Sequence, residues 1–185
     1  LSPHKGHLKE MLDGLGRIVD SVGKDTPVIF TMFSPISQVR KLVGDENLSE
    51  HLTQYPDEIS QALEMVTECS KEFVHAVMQT GADGIFYAVQ HARPKWMTRE
   101  EYLRWGRTYD IPVLQAAADG WLNMLHLHGN GIYFDQFMDY PVQVINWHDL
   151  ETWPDLKTGL AEYDGGVCGG IRQEVTLNLG AADDV

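Results

Sequence analysis

The chain has only two cysteines in 185 residues, Cys69 and Cys168, and neither sits in a Cys-x-x-Cys or zinc-finger spacing. No disulfide framework follows from them. Cys69 falls on the apolar side of an expected helix and reads as an inert packing thiol. No apolar run approaches the ~20 residues that span a bilayer, and Leu1-Ser2-Pro3-His4-Lys5 lacks the basic-then-apolar order of a secretory signal. A soluble cytoplasmic protein without membrane contact is therefore the expectation. Basic residues are also scarce: 14 Lys and Arg stand against 27 Asp and Glu, a formal charge of -13. Such a surface repels phosphate backbones, and the scattered cations form no stripe, which argues against nucleic acid as a partner. A Gly-x-Ser-x-Gly elbow, a Walker loop and a His-Glu-x-x-His pair are missing too. Serine-hydrolase, P-loop and zincin chemistry are set aside on that ground.

What is present is an alternation of helical periods with short β-branched runs, the pattern of βα units around a parallel sheet. Gly6 to Val22 is expected as a helix with Leu8, Leu12, Leu15, Ile18 and Val19 on one face. Pro27 to Phe33 follows as a strand, and Ser34-Pro35 opens the next helix. The longest helix is expected from Pro56 to about Thr80, where Ile59, Leu63, Val66, Phe73 and Val77 recur at three- and four-residue spacing, with Gly81 ending it. Asp83 to Gln90 reads as a second strand. Thr98-Arg99-Glu100-Glu101 is a capping box that starts another long helix through about Asp119. Leu122 to His128, Val142 to Trp147 and Gly166 to Ile171 complete five strands, with a short helix over Tyr133 to Met138. No linker divides the chain, so residues 1–185 are read as a single domain. A complete (β/α)8 barrel takes about 250 residues. Five strands imply either an incomplete barrel or an open doubly wound sheet, and the missing Gly-x-Gly-x-x-Gly turn weakens the dinucleotide-binding form of the latter.

In a parallel barrel the chemistry sits where strands end. The candidates there are Phe33 with Ser34 and Pro35; Gln90 and His91; His126, His128 and Asn130; Asn146, Trp147 and His148; and Cys168 with Gly169, Gly170 and Arg172. Alternation puts His126 and His128 on one face of their strand and Leu125 and Leu127 on the other. Two imidazoles so placed are within reach of one metal ion, and zinc accepts such ligands; a metal-free pair hydrogen-bonding a substrate carboxylate or carbonyl is the alternative. Candidates for a third ligand are Cys168, His148, His91 or a residue outside the chain. Asn146 and His148 share a face by the same alternation. Asp149 is expected to orient an imidazole or cap a helix, and Trp147 to form an aromatic wall or pack in the core. Only one of Gln90 and His91 can enter the mouth. The glycine pairs Gly165-Gly166 and Gly169-Gly170 permit close backbone approach to a phosphate-type ligand, or simply make tight turns. Arg172 is suited to an acidic substrate group. His4, His7, His51 and His75 lie on or near helices and read as surface or packing residues.

An ordered set of motifs resembles the uroporphyrinogen decarboxylase superfamily. It comprises Pro27 to Gly44 with its Phe33-Ser34-Pro35 turn, Gly81-Ala82-Asp83-Gly84-Ile85, Met97-Thr98-x-x-x-Tyr102, His126-Leu127-His128-Gly129-Asn130, Asn146-Trp147 and Gly169-Gly170-Ile171. The resemblance implies a (β/α)8 TIM barrel, α/β in class, of which this chain supplies about strands 3 to 7. Its decarboxylase branch uses no metal and relies on an Arg-rich N-terminal segment with an Asp and a Tyr in the mouth. The strand ending at Gln90-His91 carries no Asp where those enzymes place one. Its corrinoid-dependent methyltransferase branch holds zinc with a His-x-Cys pair and a later Cys, and the zinc activates a thiol. His126 matches that His, His128 stands at the Cys position, and Cys168 is a candidate substitute third ligand.

The resemblance thus implies an enzyme acting by metal-assisted methyl or one-carbon transfer on a small or corrinoid-linked substrate, with a corrinoid protein as partner. His126 and His128 would ligate the metal or polarise the substrate. Catalysis would involve His126, His148 and Asn146, with Phe33, Gln90, His91, Asn130, Trp147 and Arg172 at the substrate. The alternatives are metal-free decarboxylation of a tetrapyrrole-like acid, as in porphyrin biosynthesis, and a non-catalytic barrel that binds a corrinoid or small acid. Further segments or a second copy in a homodimer are expected to cover the sheet edges.

Overall fold

The computed structural model describes residues 2–181. Five strands form one parallel sheet in sequential order: β1 (Ile29–Phe33), β2 (Gly84–Val89), β3 (Met124–Leu127), β4 (Val144–Trp147) and β5 (Gly166–Cys168). Strictly sequential parallel order, with a helical crossover between most neighbours, is the geometry of an unclosed (β/α)8 barrel and differs from a doubly wound sheet, whose order reverses. Each strand is shorter than its apolar run suggests, because the ladder pairs only the segment that overlaps its neighbours.

The helices are α1 (Gly6–Val22), α2 (Pro35–Val43), α3 (Leu48–Gln54), α4 (Pro56–Gln79), α5 (Arg99–Tyr102), α6 (Thr108–Ala116) and α7 (Leu156–Glu162). None among the described residues is long and apolar enough to cross a membrane. α4 buries Ile59, Leu63, Phe73 and Val77 at helical spacing, as its sequence requires, and Gly81 with φ of 87° turns the chain into β2. The capping box at Thr98 forms, with Thr98 Oγ1 accepting from Glu101 N and Glu101 returning to Thr98 N. The long helix expected after it is interrupted by a π-turn over Leu103–Arg107. Two local features accompany this break. Gly106 lies against the Tyr102 ring, where a Cβ would come within 2.2 Å, and Pro112 has no N–H for the carbonyl of Thr108. The expected helix over Tyr133 to Met138 is a single 3-10 turn, Phe134–Phe137.

The bottom of the sheet is fixed by side chains. Asp83 accepts from Val28 N at 2.7 Å and from Trp121 Nε1 at 2.7 Å, joining the starts of β1 and β2 to the loop before β3. Buried Asn123 accepts from Ile85 N at 3.0 Å and donates to Ala117 O at 2.8 Å. Among the helices, the fully buried Asp110 accepts from Tyr87 at 2.7 Å and from Tyr102 at 2.5 Å, with Tyr140 at 3.2 Å. These bonds hold α6 against the outer face of β2.

Candidate functional site

Parallel register aligns side chains in rows across the sheet. Phe33, Ala88, His126, Asn146 and Cys168 pair in turn and form one such row on the face opposite the helices. Leu125, Leu127, Ile145 and Trp147 take the other face and are buried under the helices. This packing secures the row, since slipping one residue would bury His126 and Asn146 and expose Trp147.

Within the row, Asn146 Nδ2 donates to Cys168 O at 2.9 Å, and Asn146 Oδ1 lies 2.6 Å from His126 Nδ1. A carbonyl only accepts, so the amide must turn its NH2 toward Cys168 and its oxygen toward His126. His126 Nδ1 therefore carries the proton and Nε2 keeps the lone pair, the tautomer a ligand needs. Phe86 stacks on the ring with centroids 5.2 Å apart.

One step further along β3 and β4 stand His128 and His148. His128 Nδ1 and His148 Nε2 are 3.4 Å apart, and ligand atoms of His126, His128 and His148 all lie within 4.8 Å of one another. A tetrahedral centre with Zn–N bonds of ~2.0–2.1 Å has N···N edges of ~3.3–3.4 Å. One edge thus already fits, and the other ligand atoms lie no more than 4.8 Å apart. All three rings are half-buried. Burial lowers the His126 pKa below the ordinary imidazole value; the hydrogen bond to Asn146 opposes this and nearby His148 adds to it. Burial likewise lowers that of His128, helped by His148, His126 and Arg93. Three converging imidazoles make a donor set that suits zinc, and burial favours the neutral, ligating form of His126 and His128.

The third member is His148, one of the four candidates, rather than Cys168. Cys168 lies two strands from His126 with Asn146 between them, a separation of about 9–10 Å at ordinary strand spacing, and its thiol faces the carbonyl of Gly169. Trp147 is no wall of the mouth. It is 1% exposed, donates to Pro154 O at 2.7 Å and packs on Phe134, so it leaves no surface for a substrate. His91 is also fully buried, with Nδ1 3.1 Å from Ser37 Oγ of α2, whereas Gln90 beside it is half-buried at the exit of β2. Phe33 is half-buried under the Lys41 ammonium, and Asn130 and Arg172 are exposed at the rim. Asp149 neither orients an imidazole nor caps a helix. It accepts from Gly170 N at 2.8 Å and tethers the loop leaving β5, while Asp155 caps α7. A Cβ on residue 169 would come within 2.9 Å of the same Asp149 carboxylate, so the side chain and this loop pack closely.

A cation missed in the sequence reading also reaches the site. The Arg93 guanidinium lies against Gly129, where a Cβ would come within 1.9 Å of Nη1. Nothing in the Ala92-Arg93-Pro94 loop has a period that would have revealed this.

A sequential parallel sheet with its polar cluster at the carboxyl ends of β3 and β4 defines a TIM-barrel enzyme class. The family model for uroporphyrinogen decarboxylase (URO-D) matches residues 1–184, and the chain belongs to that family. Two curated relatives, both named methylcobamide:CoM methyltransferase MtaA, from Methanosarcina barkeri and from its strain Fusaro / DSM 804, are each 24% identical over 98 residues. Those residues are 53% of this chain and 29% of each relative. A solved structure of a methyltransferase from Methanosarcina mazei superposes with a TM-score of 0.85 at 21% identity, over 98% of this chain and 53% of that one. The chain therefore spans under a third of the curated relatives and about half of the solved one, and the superposition shows a shared fold, an incomplete TIM barrel.

Proposed function

We propose that this chain carries the metal centre of a methyl- or one-carbon-transferring enzyme that acts on a small or corrinoid-linked substrate. The observation that supports it is the convergence of His126, His128 and His148 with one N···N separation already at a tetrahedral edge. These three residues would hold a zinc ion, which when bound supplies Lewis acidity that keeps an acceptor thiol as its nucleophilic thiolate. Asn146 holds the His126 ring and its proton in place. Phe86 shields one face of that ring from water. The curated relatives are named for transfer from a methylcobamide, which makes a corrinoid-bearing protein the partner to test.

The all-nitrogen set bears on the acceptor. Neutral imidazoles donate less charge than thiolates, so a metal they hold stays more electrophilic and binds an incoming anion more tightly. Elemental analysis of the full-length protein, purified without a chelating tag, tests the reading. About one zinc per chain, lost in His126→Ala and in His148→Ala, is the expected result. No bound metal in the full-length protein overturns it and leaves metal-free decarboxylation or simple ligand binding.

A further inference from the structure

Five buried side-chain nitrogen or oxygen atoms among the described residues lack a hydrogen-bond partner, and three of them fall within six residues: His91 Nε2, Arg93 Nε and Trp96 Nε1. Arg93 Nε and Trp96 Nε1 can only donate. Buried donors are nearly always answered in a folded protein, so a cluster of unanswered ones marks a place where something other than the chain completes the bonding.

The charges nearby point to what that is. Arg93 makes no ion pair among the described residues. The adjacent cation, Arg40, is held over the Trp96 ring at 4.6 Å and grips Asp45 through Nε at 2.8 Å and Nη2 at 2.5 Å, so its charge is already met. Asp45, gripped by Arg40, is thereby occupied. Lys95 adds a second cation 5.2 Å from the Trp96 ring centroid. In a chain of net charge -13, this loop gathers positive charge and donors, and no carboxylate among the described residues pairs with Arg93. The guanidinium also sits on Gly129, the residue after His128, which sets it beside the histidine cluster.

We propose that Arg93 anchors an anionic group of the substrate (a carboxylate, sulfonate or phosphonate) whose reacting end lies at His126, His128 and His148, with Trp96 three residues along the same loop as its reporter. The inference rests on the reading of that cluster as the reaction centre. Arg93 acts by positioning: its fork pairs two anion oxygens, the bond pattern a guanidinium offers and an ammonium does not. Arg172 is exposed and lies at the His148 end of the cluster, whereas Arg93 lies at the His128 end.

The test uses full-length protein with and without zinc, and two probes, 3-mercaptopropionate and 2-mercaptoethanol, which present the same thiol with and without a carboxylate. The Trp96 indole N–H resonance, assigned through Trp96→Phe, reports occupancy without turnover, and calorimetry gives affinity. Mercaptopropionate is expected to shift the resonance with or without zinc, while mercaptoethanol leaves it in place. Arg93→Met should weaken mercaptopropionate binding about 10- to 100-fold, the loss of a charge-assisted pair, and leave mercaptoethanol binding to the zinc-loaded form unchanged. That unchanged arm shows that the variant is folded with its metal site intact, and Arg93→Lys should fall between. Equal weakening of both probes, or none, overturns the proposal. If zinc fails to bind but mercaptopropionate still moves Trp96 in an Arg93-dependent way, the metal reading falls and the anion site stands.

Discussion

Replacing Asn146 by Leu keeps the side chain's size and branching while removing both of its hydrogen bonds. His126 Nδ1 then loses its acceptor at 2.6 Å, and the carbonyl of Cys168 loses its donor at 2.9 Å. Nothing else in the row is placed to fix the proton on Nδ1, so the ring divides its population between tautomers and is freer to turn on the face of Phe86. Only one tautomer at one ring angle offers Nε2 to the metal. Loss of such an orienting partner typically weakens metal affinity about 10- to 100-fold, or about 1.4–2.7 kcal/mol. Competition against a chromophoric zinc chelator measures it directly. His126→Ala, which removes a ligand outright, should cost much more than Asn146→Leu, and Asn146→Gln should not rescue, since its longer arm cannot span both partners from the same Cβ. Wild-type zinc affinity in Asn146→Leu would refute the orientation argument and, with it, the place of His126 as the best-held ligand.

Three further outcomes follow from the packing. Asp110 is pushed by burial from the usual 3.8 to about 6, against the hydrogen bonds of Tyr102, Tyr87 and Tyr140 that favour its charge. A raised carboxyl pKa gives stability that is full below the unfolded value and lost as pH rises through the folded one, here about 3 kcal/mol between pH 4 and 6 to 7. Urea titrations should show that loss in the wild type and not in Asp110→Asn; a difference between the two that is constant with pH contradicts it. His91 runs the other way, since burial, with Arg40 and Arg93 adding to it, lowers it from 6.5 to about 3. Its stabilising effect is present above pH 6.5 and disappears as pH falls toward 3, by up to about 5 kcal/mol, so His91→Gln should flatten the acid limb of the stability curve. Gly159→Ala places a Cβ within 2.4 Å of Trp147 and should destabilise by about 1–3 kcal/mol in chemical denaturation, because the indole is locked by its bond to Pro154 O and by Phe134; an unchanged midpoint means the indole can move.

The fold was legible wherever a period could be read. α1 and α4 announce their buried faces through Leu12, Leu15, Ile59, Leu63, Phe73 and Val77, and the five strands lie inside the five apolar runs. Illegible were the departures that leave no mark in a period or a propensity. The π-turn before α6 arises where Tyr102 covers Gly106, and no local propensity records it. α3 and α7 are too short for a period to emerge, although Asp155 with Thr158 carries a capping signal for α7. Trp147 was ambiguous from its place at a strand end, and alternation with Asn146 settles it, because only one of two neighbours can face the mouth.

The site divides along the same line. Period-two alternation is enough to put His126 and His128 on one face and Asn146 and His148 on one face. It cannot say whether the two pairs meet, because that depends on register between β3 and β4, and register is set by Trp147, Ile145, Leu125 and Leu127 under the helices. Once His126 pairs with Asn146, His128 must stand beside His148, and Cys168 is carried one strand too far to join them. That a nitrogen and not a sulfur completes the cluster is therefore a consequence of core packing on the opposite face of the sheet. A Trp147 substitution that lets β4 slip should scatter the histidines without touching any of them. Zinc affinity lost in Trp147→Ala together with a changed Trp96 resonance would show that slippage reaches the whole mouth; affinity retained would mean that the cluster holds its own register.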